Sequence, residues 1–427
     1  MVAVFAAVAV RQLSGRGPGI WLLFVGGGAA AVLLGALSPI GAATTLANDA
    51  PLLLFLFALF LFATALEAAG ALDHLARWLI GRARRASDLP AVLFLGFGIV
   101  SAFLVNDALV LIGVPVLLAL ARRLRTGARP LLMVLAFSVT VGSALTPFGN
   151  PQNLLVSVQS GIPSPFVTFL RYLLVPTAIN LAVGAVYLRR LYGPRMPSDA
   201  GTVVRGQDEP SALLPSGGWS TRLGRFPVLA IFPATLAAIV AVDLLAAVSR
   251  GPVVPSWEVA GAGAVVLLAA SPARSRIVRG IQWEVLLLFA GLFVVVAAAS
   301  AGGVVAGLGR ILPVPGPGHP LFDLLGIAGT SLVGSQLVSN VPWVGLQVSV
   351  LHHLGYGGTP AVPWLALAGA STLAGNVTLL GAASNLIVVQ LAERAGVPIR
   401  LGTFVRDGLP LAALTVGVLV ACLWLGL

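Results

Sequence analysis

Two adjacent polar residues, Asn106 and Asp107, stand in the middle of an apolar run from Leu93 to Leu120. A carboxylate at that depth is costly in hydrocarbon, and such groups mark ion or proton pathways. A second run, Leu131 to Val158, is interrupted by Thr146-Pro147-Phe148-Gly149-Asn150-Pro151-Gln152-Asn153. Proline, glycine and several amides there oblige the backbone to open, and open backbone at membrane depth is tolerated only where it is buried in protein or lines a cavity. Positions 378 to 385, Thr378-Leu379-Leu380-Gly381-Ala382-Ala383-Ser384-Asn385, repeat the interruption 232 residues later (378 minus 146). Thr146, Gly149 and Asn153 fall on Thr378, Gly381 and Asn385. Ser339-Asn340, inside a run from Leu321 to Leu351, completes the set by matching Asn106.

Four such interruptions, brought together, would make one kind of chemistry available. Half-helix N-termini offer partial positive charge to an anion, while freed carbonyls and side-chain oxygens hold a small cation. The candidate substrate- or ion-binding residues are therefore Asn106, Asp107, Thr146, Gly149, Asn150, Asn153, Ser339, Asn340, Thr378, Gly381, Ser384 and Asn385, the two glycines acting through backbone. A plainer reading accompanies each: Asp107 as a helix cap, the asparagines as turn residues, the breaks as packing devices.

Elements able to position these residues follow from composition. Of 427 residues, 58% are hydrophobic and 9% charged, with mean hydropathy +1.01, which excludes an ordinary soluble domain. The net charge of +11 arises from 25 basic residues, all arginine, against 14 acids. They cluster in short loops between apolar runs, so they read as topology rather than nucleic-acid binding. The single cysteine, Cys422, excludes an internal disulfide. No phosphate-binding Gly-Lys-Ser loop occurs, so energy must come from an ion gradient or another subunit. No catalytic dyad or Cys/His cluster points to an enzyme or a cofactor. His352-His353 lacks acidic or cysteine neighbours for a metal, and Glu67 and Asp243 are weaker intramembrane candidates.

A bilayer crossing needs about 20 apolar residues. Met1 to Val10 is too short and reads as a retained helix. Crossings are expected near 20–37, 51–70, 131–158, 166–188, 228–247, 259–270, 285–299, 364–389 and 404–427, with an amphipathic piece at 73–85. The runs around Asn106 and Asn340 have the character of re-entrant hairpins, because arginines flank both ends of the first. The expectation is an all-α polytopic membrane protein of about 10 transmembrane spans, an inverted repeat with two re-entrant hairpins and two broken transmembrane helices. Residues 1–188 form the first repeat with its hairpin at 91–121. A cytoplasmic linker occupies 189–226, and 227–427 form the second repeat with its hairpin at 321–353.

Five crossings separate the hairpins, so the second must open to the opposite side. That topology places 22 of the 25 arginines on one face, which marks it as cytoplasmic. The amino end is then inside and the carboxyl end outside, in a bacterial or archaeal inner membrane.

At these residues the chain resembles the ion transporter superfamily of arsenite permeases, divalent anion/sodium symporters, citrate carriers and one class of sodium/proton antiporters. Leu104-Val105-Asn106-Asp107-Ala108 resembles the Asn-Asp tip of the arsenite permeases. Gly142 to Asn153 and Ser339-Asn340-Val341-Pro342 are similar to a bacterial branch labelled as putative anion transporters. The resemblance implies a homodimer working by an elevator-like mechanism, with sodium, where sodium is the coupling ion, at Asn106, Gly149, Asn340 and Gly381. In the dicarboxylate symporters each tip reads Ser-Asn-Thr; here the threonines are missing and Val105 replaces the first serine. The charge of Asp107 would repel a dianion, so a weakly acidic substrate of the arsenous acid type fits better than a carboxylate. The expected function is secondary transport of a small anion or oxyanion coupled to a proton or sodium gradient. A sodium/proton antiporter is the alternative, and an ion channel a third reading.

Overall fold

A computed structural model describes residues 2–14, 17–70, 78–79, 82, 85–196, 222–249, 254–314 and 320–426. Among these residues the chain is helical and contains no strand. That follows from hydrocarbon as solvent, where every backbone polar group must be satisfied within its own segment or within the protein.

The first part of the chain runs α1 (Val2–Ser14), α2 (Ile20–Leu33), α3 (Pro39–Asn48) and α4 (Ala50–Ala68). A hairpin follows, built from α5 (Leu89–Ser101) and α6 (Asn106–Arg123). Then come α7 (Ala128–Gly142), an eight-residue break (143–150), α8 (Pro151–Gln159) and the long α9 (Pro165–Tyr192). The second part runs α10 (Arg222–Ser249), α11 (Ser256–Ala270), α12 (Arg274–Arg279), α13 (Trp283–Ala301) and α14 (Val304–Ile311). Its hairpin is α15 (Pro320–Val338) with α16 (Asn340–His353). After it come α17 (Val362–Ala374), a second eight-residue break (375–382), α18 (Ala383–Arg394) and α19 (Leu401–Leu425). Hairpin, helix, break, half-helix and long helix thus recur in the same order at nearly constant spacing.

Six of the described helices are long and apolar enough to cross a membrane, among them Ala50–Ala68, Trp283–Ala301 and Leu401–Leu425, and six more are shorter apolar helices. At 1.5 Å per residue the 13 residues of α5 reach about 20 Å and stop short of a hydrocarbon core about 30 Å thick. The 19 residues of α15 are long enough to cross, while the second arms differ the other way, 18 residues in α6 and 14 in α16. In the core lie α7 and α17: every residue from Leu131 to Gly142 and from Pro363 to Ala374 is buried. Around them, α10, α15 and α19 turn bulky apolar side chains outward, including Leu245, Val248, Phe322, Val333, Leu409 and Leu414. An outer surface of that kind is suited to lipid, and the molecule is a multi-pass membrane protein.

Two sequence expectations are sharpened. The linker begins later than 189, because α9 continues to Tyr192 and a short turn to Arg195. The extension is pinned where the Tyr192 hydroxyl donates to Asp407 (2.9 Å) and Arg189 pairs with Asp88 (2.8 Å). Asp243, one of the weaker intramembrane candidates, is 3% exposed and accepts a hydrogen bond from the Val167 N–H (2.8 Å) at the start of α9. Most of the amphipathic piece at 73–85 and of the linker lies outside the described residues.

Candidate functional site

Both hairpin tips dock onto a break through the same backbone bond. The Asn106 N–H donates to the Gly149 carbonyl (2.9 Å), and the Asn340 N–H donates to the Gly381 carbonyl (3.2 Å). Each break is folded alike. The Phe148 N–H donates to the Thr146 hydroxyl (3.1 Å), as the Leu380 N–H does to that of Thr378 (3.1 Å). The Asn153 amide donates to the Ser143 carbonyl (3.0 Å), and that of Asn385 to the Gly375 carbonyl (2.6 Å). Six of the sequence-predicted residues therefore occupy equivalent places: Asn106 and Asn340, Thr146 and Thr378, Asn153 and Asn385. Gly149 and Gly381 supply the two accepting carbonyls.

The four corners also touch across the repeat. The Asn106 amide reaches the Ser384 hydroxyl (3.4 Å), so the first tip meets both breaks. Thr372, in α17, accepts from the amides of Asn150 (3.1 Å) and Gln152 (3.4 Å) and donates to the Asn153 side-chain oxygen (3.0 Å). Asn106, Asp107, Ser339 and Asn340 are between 3% and 6% exposed, and Thr146, Asn150, Asn153, Ser384 and Asn385 at most 1%. None of them faces lipid.

Hydrogen bonding separates these residues into two kinds. In the first break the polar groups brace one another. The Asn150 side-chain oxygen caps α8 by accepting from the Asn153 N–H (2.8 Å), its amide bonds Ser143, and Thr146 donates to the Ala102 carbonyl. Gly149 is required by this closure, because a Cβ there would stand 2.2 Å from the Ser143 carbonyl oxygen. The remaining groups are open. The side-chain oxygens of Asn106, Asn340 and Asn385 are buried without a hydrogen-bond partner among the described residues. A buried oxygen left so is a place for an unseen ligand, water or ion. Asp107 stands in the first turn of α6, where the helix carries partial positive charge. It does not act as the cap, since the N-cap is Val105 and no side chain closes that end.

Asp107 opens onto a cavity of about 510 Å³, lined also by Arg11, Trp21, Gln282, Glu284 and Gln390. Ala383, at the start of α18, shares the wall. The cavity reaches the meeting point of the first tip and the second break from one end of α13. Ser339 adds strain: its φ of +72° with ψ 161° is a conformation that side-chain-bearing residues avoid.

Sequence reasoning missed Thr372, Ser143, Gln336 and Asn376. Gln336 accepts from the Thr378 hydroxyl (2.7 Å) and donates to the Ala374 carbonyl (2.9 Å). Asn376 is fully buried, with neither side-chain atom partnered among the described residues. A polar residue in an apolar run is the signal that could have found them. No group of three or more His, Cys, Asp or Glu side chains gathers among the described residues.

A family model described as "Citrate transporter" matches residues 8–374. An uncharacterised transporter of Mycobacterium bovis is 29% identical over 383 residues, covering 88% of this chain and 86% of that one. The silicon efflux transporter of rice is 29% identical over 394 residues, covering 81% and 80%. Among solved structures, the YdaH transporter of Alcanivorax borkumensis aligns with a TM-score of 0.58 at 16% identity, over 90% of this chain and 86% of that one.

Proposed function

The chain belongs to the citrate transporter family, within the ion transporter superfamily, and from that premise we propose that it carries a small, weakly acidic oxyacid across the membrane, coupled to a proton or sodium gradient. Asp107 carries the reading: a buried carboxylate at a hairpin tip, beside unpartnered amide oxygens and open to a cavity. A charge in such a place needs a compensating cation or proton. That requirement ties the occupancy of the tip to an ion gradient.

The polar groups around the tips favour the substrate class. They are neutral amides and hydroxyls plus one carboxylate, while the cavity wall adds Arg11 and a second carboxylate, Glu284. A multiply charged carboxylate would meet Asp107 with little to offset its own charge. An uncharged hydroxylated acid can instead donate to the oxygens of Asn106, Asn340 and Asn385. A rice relative exports silicon, which is present in neutral water as an uncharged hydroxylated acid. Both observations favour the arsenous or silicic acid type over citrate.

Access alternates, in this reading, by movement of the hairpins and breaks as a unit against α4, α10, α11 and α13, the two repeats lying inverted in the bilayer. The arginine-rich loops face the cytoplasm and the Asp107 cavity opens toward them. Thr146, Asn150 and Asn153 brace the first break, while Asn106, Asp107, Asn340, Ser384 and Asn385 contact the cargo or the coupling ion. Protein in liposomes should move arsenite or silicic acid when a proton or sodium gradient is imposed. Absence of gradient-driven flux for these acids and for citrate would sink the reading. The unpartnered oxygens together with Asp107 also favour a second reading, sodium/proton exchange. It predicts that sodium alone moves protons across liposomes free of any acid.

A further inference from the structure

A second polar cavity lies toward the other end of α13. Val285 and Leu288 of that helix line the Asp107 cavity, whereas Leu292, Val296 and Ser300 line a smaller one of about 170 Å³. On α13 the first lining ends at Leu288 and the second begins at Leu292, about 6 Å further along the helix, and the two share no residue. The walls of the smaller cavity are completed by Thr45 of α3, Asp49 between α3 and α4, Gln159 of α8, and Ser349 of α16.

Its chemistry is one-sided. The Thr45 hydroxyl spends its proton on the Gly41 carbonyl (2.9 Å), that of Ser300 on Val296 (3.0 Å), and that of Ser349 on Gly345 (3.5 Å). Each hydroxyl donates one hydrogen, so all three oxygens turn only lone pairs toward the space. Asp49 adds a carboxylate. One of its oxygens accepts from the Gln159 amide (2.8 Å), and among the described residues no lysine, arginine or histidine lines the cavity. Gln159 is itself held from behind, where a ring nitrogen of His352 meets its backbone carbonyl (2.9 Å). A small space with one negative charge, several acceptors and a single engaged donor selects for a cation of single charge. An anion would find almost no donor there.

We propose that this cavity is a binding site for an alkali-metal cation of the sodium class, ligated by Asp49 with the hydroxyl oxygens of Thr45, Ser300 and Ser349. It is separate from the tips and does not depend on the role given to Asp107. Gln159 closes it, and the cation competes with the Gln159 amide for the Asp49 carboxylate. Because Gln159 ends α8, occupancy of this site acts on the half-helix of the first break.

The test uses the full chain purified in detergent, with Cys422→Ala as background and Ala297→Cys as a thiol on the cavity wall. Sodium or lithium chloride should slow maleimide labelling of that thiol, and magnesium or choline chloride at matched ionic strength should not. Asp49→Asn should raise the half-protecting sodium concentration roughly 10- to 100-fold, the loss expected for one charged ligand. Asp107→Asn should leave protection intact. Labelling that ignores sodium, or protection abolished by Asp107→Asn, overturns the proposal. Should Asp49→Asn fail to remain monodisperse, Ser300→Ala must weaken protection instead, and an unchanged half-protecting concentration there overturns it equally. Gradient-driven oxyacid flux in liposomes reports on the tips separately, so failure of this site and failure of the transport reading are distinguishable.

Discussion

The two tip-and-break units share their backbone and differ in their side chains. Asn106 on Gly149 and Asn340 on Gly381 are the same hydrogen bond made twice. Around that shared frame the first unit carries Asp107 where the second carries Val341. The first break is closed by Asn150, Asn153 and Ser143, with Thr372 reaching in from the other half. The second has Ala382 where the first has its capping Asn150, and it leaves Asn376 and the Asn385 oxygen without a partner among the described residues. Backbone bonds of this kind set a geometry that the two units hold in common. The carboxylate occurs once, at Asp107, whereas among the described residues an unpartnered side-chain oxygen occurs at both tips, on Asn106 and Asn340. The first break is thus the more heavily braced of the two, and side chains rather than backbone distinguish the units.

Substitutions in matched pairs would break or sharpen that contrast. The largest effect is expected at Asp107→Asn: the protein stays folded, but ion-driven flux in liposomes falls roughly 10- to 100-fold, as for loss of one contact to a charged group. Equal gradient dependence in the variant would remove the asymmetry from the mechanism. Thr372→Val should cost about 1–3 kcal/mol, because it strips partners from the buried amides of Asn150 and Asn153. Its counterpart Thr140→Val loses only a bond to the Ala136 carbonyl one turn back and should cost under about 1 kcal/mol, both read from thermal unfolding in detergent.

Gly149→Ala should destabilise by about 1–3 kcal/mol, since its Cβ meets backbone that cannot retreat. At Gly381 a Cβ would stand 2.9 Å from the Gln336 side-chain oxygen and 3.0 Å from the Ala374 carbonyl oxygen, a milder approach than the 2.2 Å at Gly149. A smaller fall in melting temperature is expected there, and equal falls would show the second break to be as rigid as the first. The smallest effect belongs to Asn376→Leu. Neither polar atom of Asn376 has a partner among the described residues, so removing them leaves nothing newly unsatisfied. Melting in the absence of sodium should be unchanged or raised.

Much of this was legible in the residues themselves. The tips at Asn106 and Asn340 and the breaks after Gly142 and Ala374 stand out because polar groups inside apolar runs have few explanations in hydrocarbon. Helix ends were less legible: α9 runs past Leu188 because Tyr192 finds Asp407, a partner 215 residues away. Thr372 was passed over, since an isolated threonine in an apolar helix resembles many that bond only their own turn.

The sequence by itself determined that the chain is helical and membrane-bound, that its breaks come in pairs, and where the intramembrane carboxylate stands. These depend on local composition and spacing, which hydrocarbon solvation translates directly into helix or opening. Only the tertiary structure decided which polar residues brace the breaks and which remain open, because a hydrogen bond between Asn150 and Thr372 or between Asn106 and Ser384 joins positions more than 200 residues apart. It also placed Asp107 on a cavity and away from a capping role, a distinction that rests on how neighbouring helices pack and is absent from any one segment.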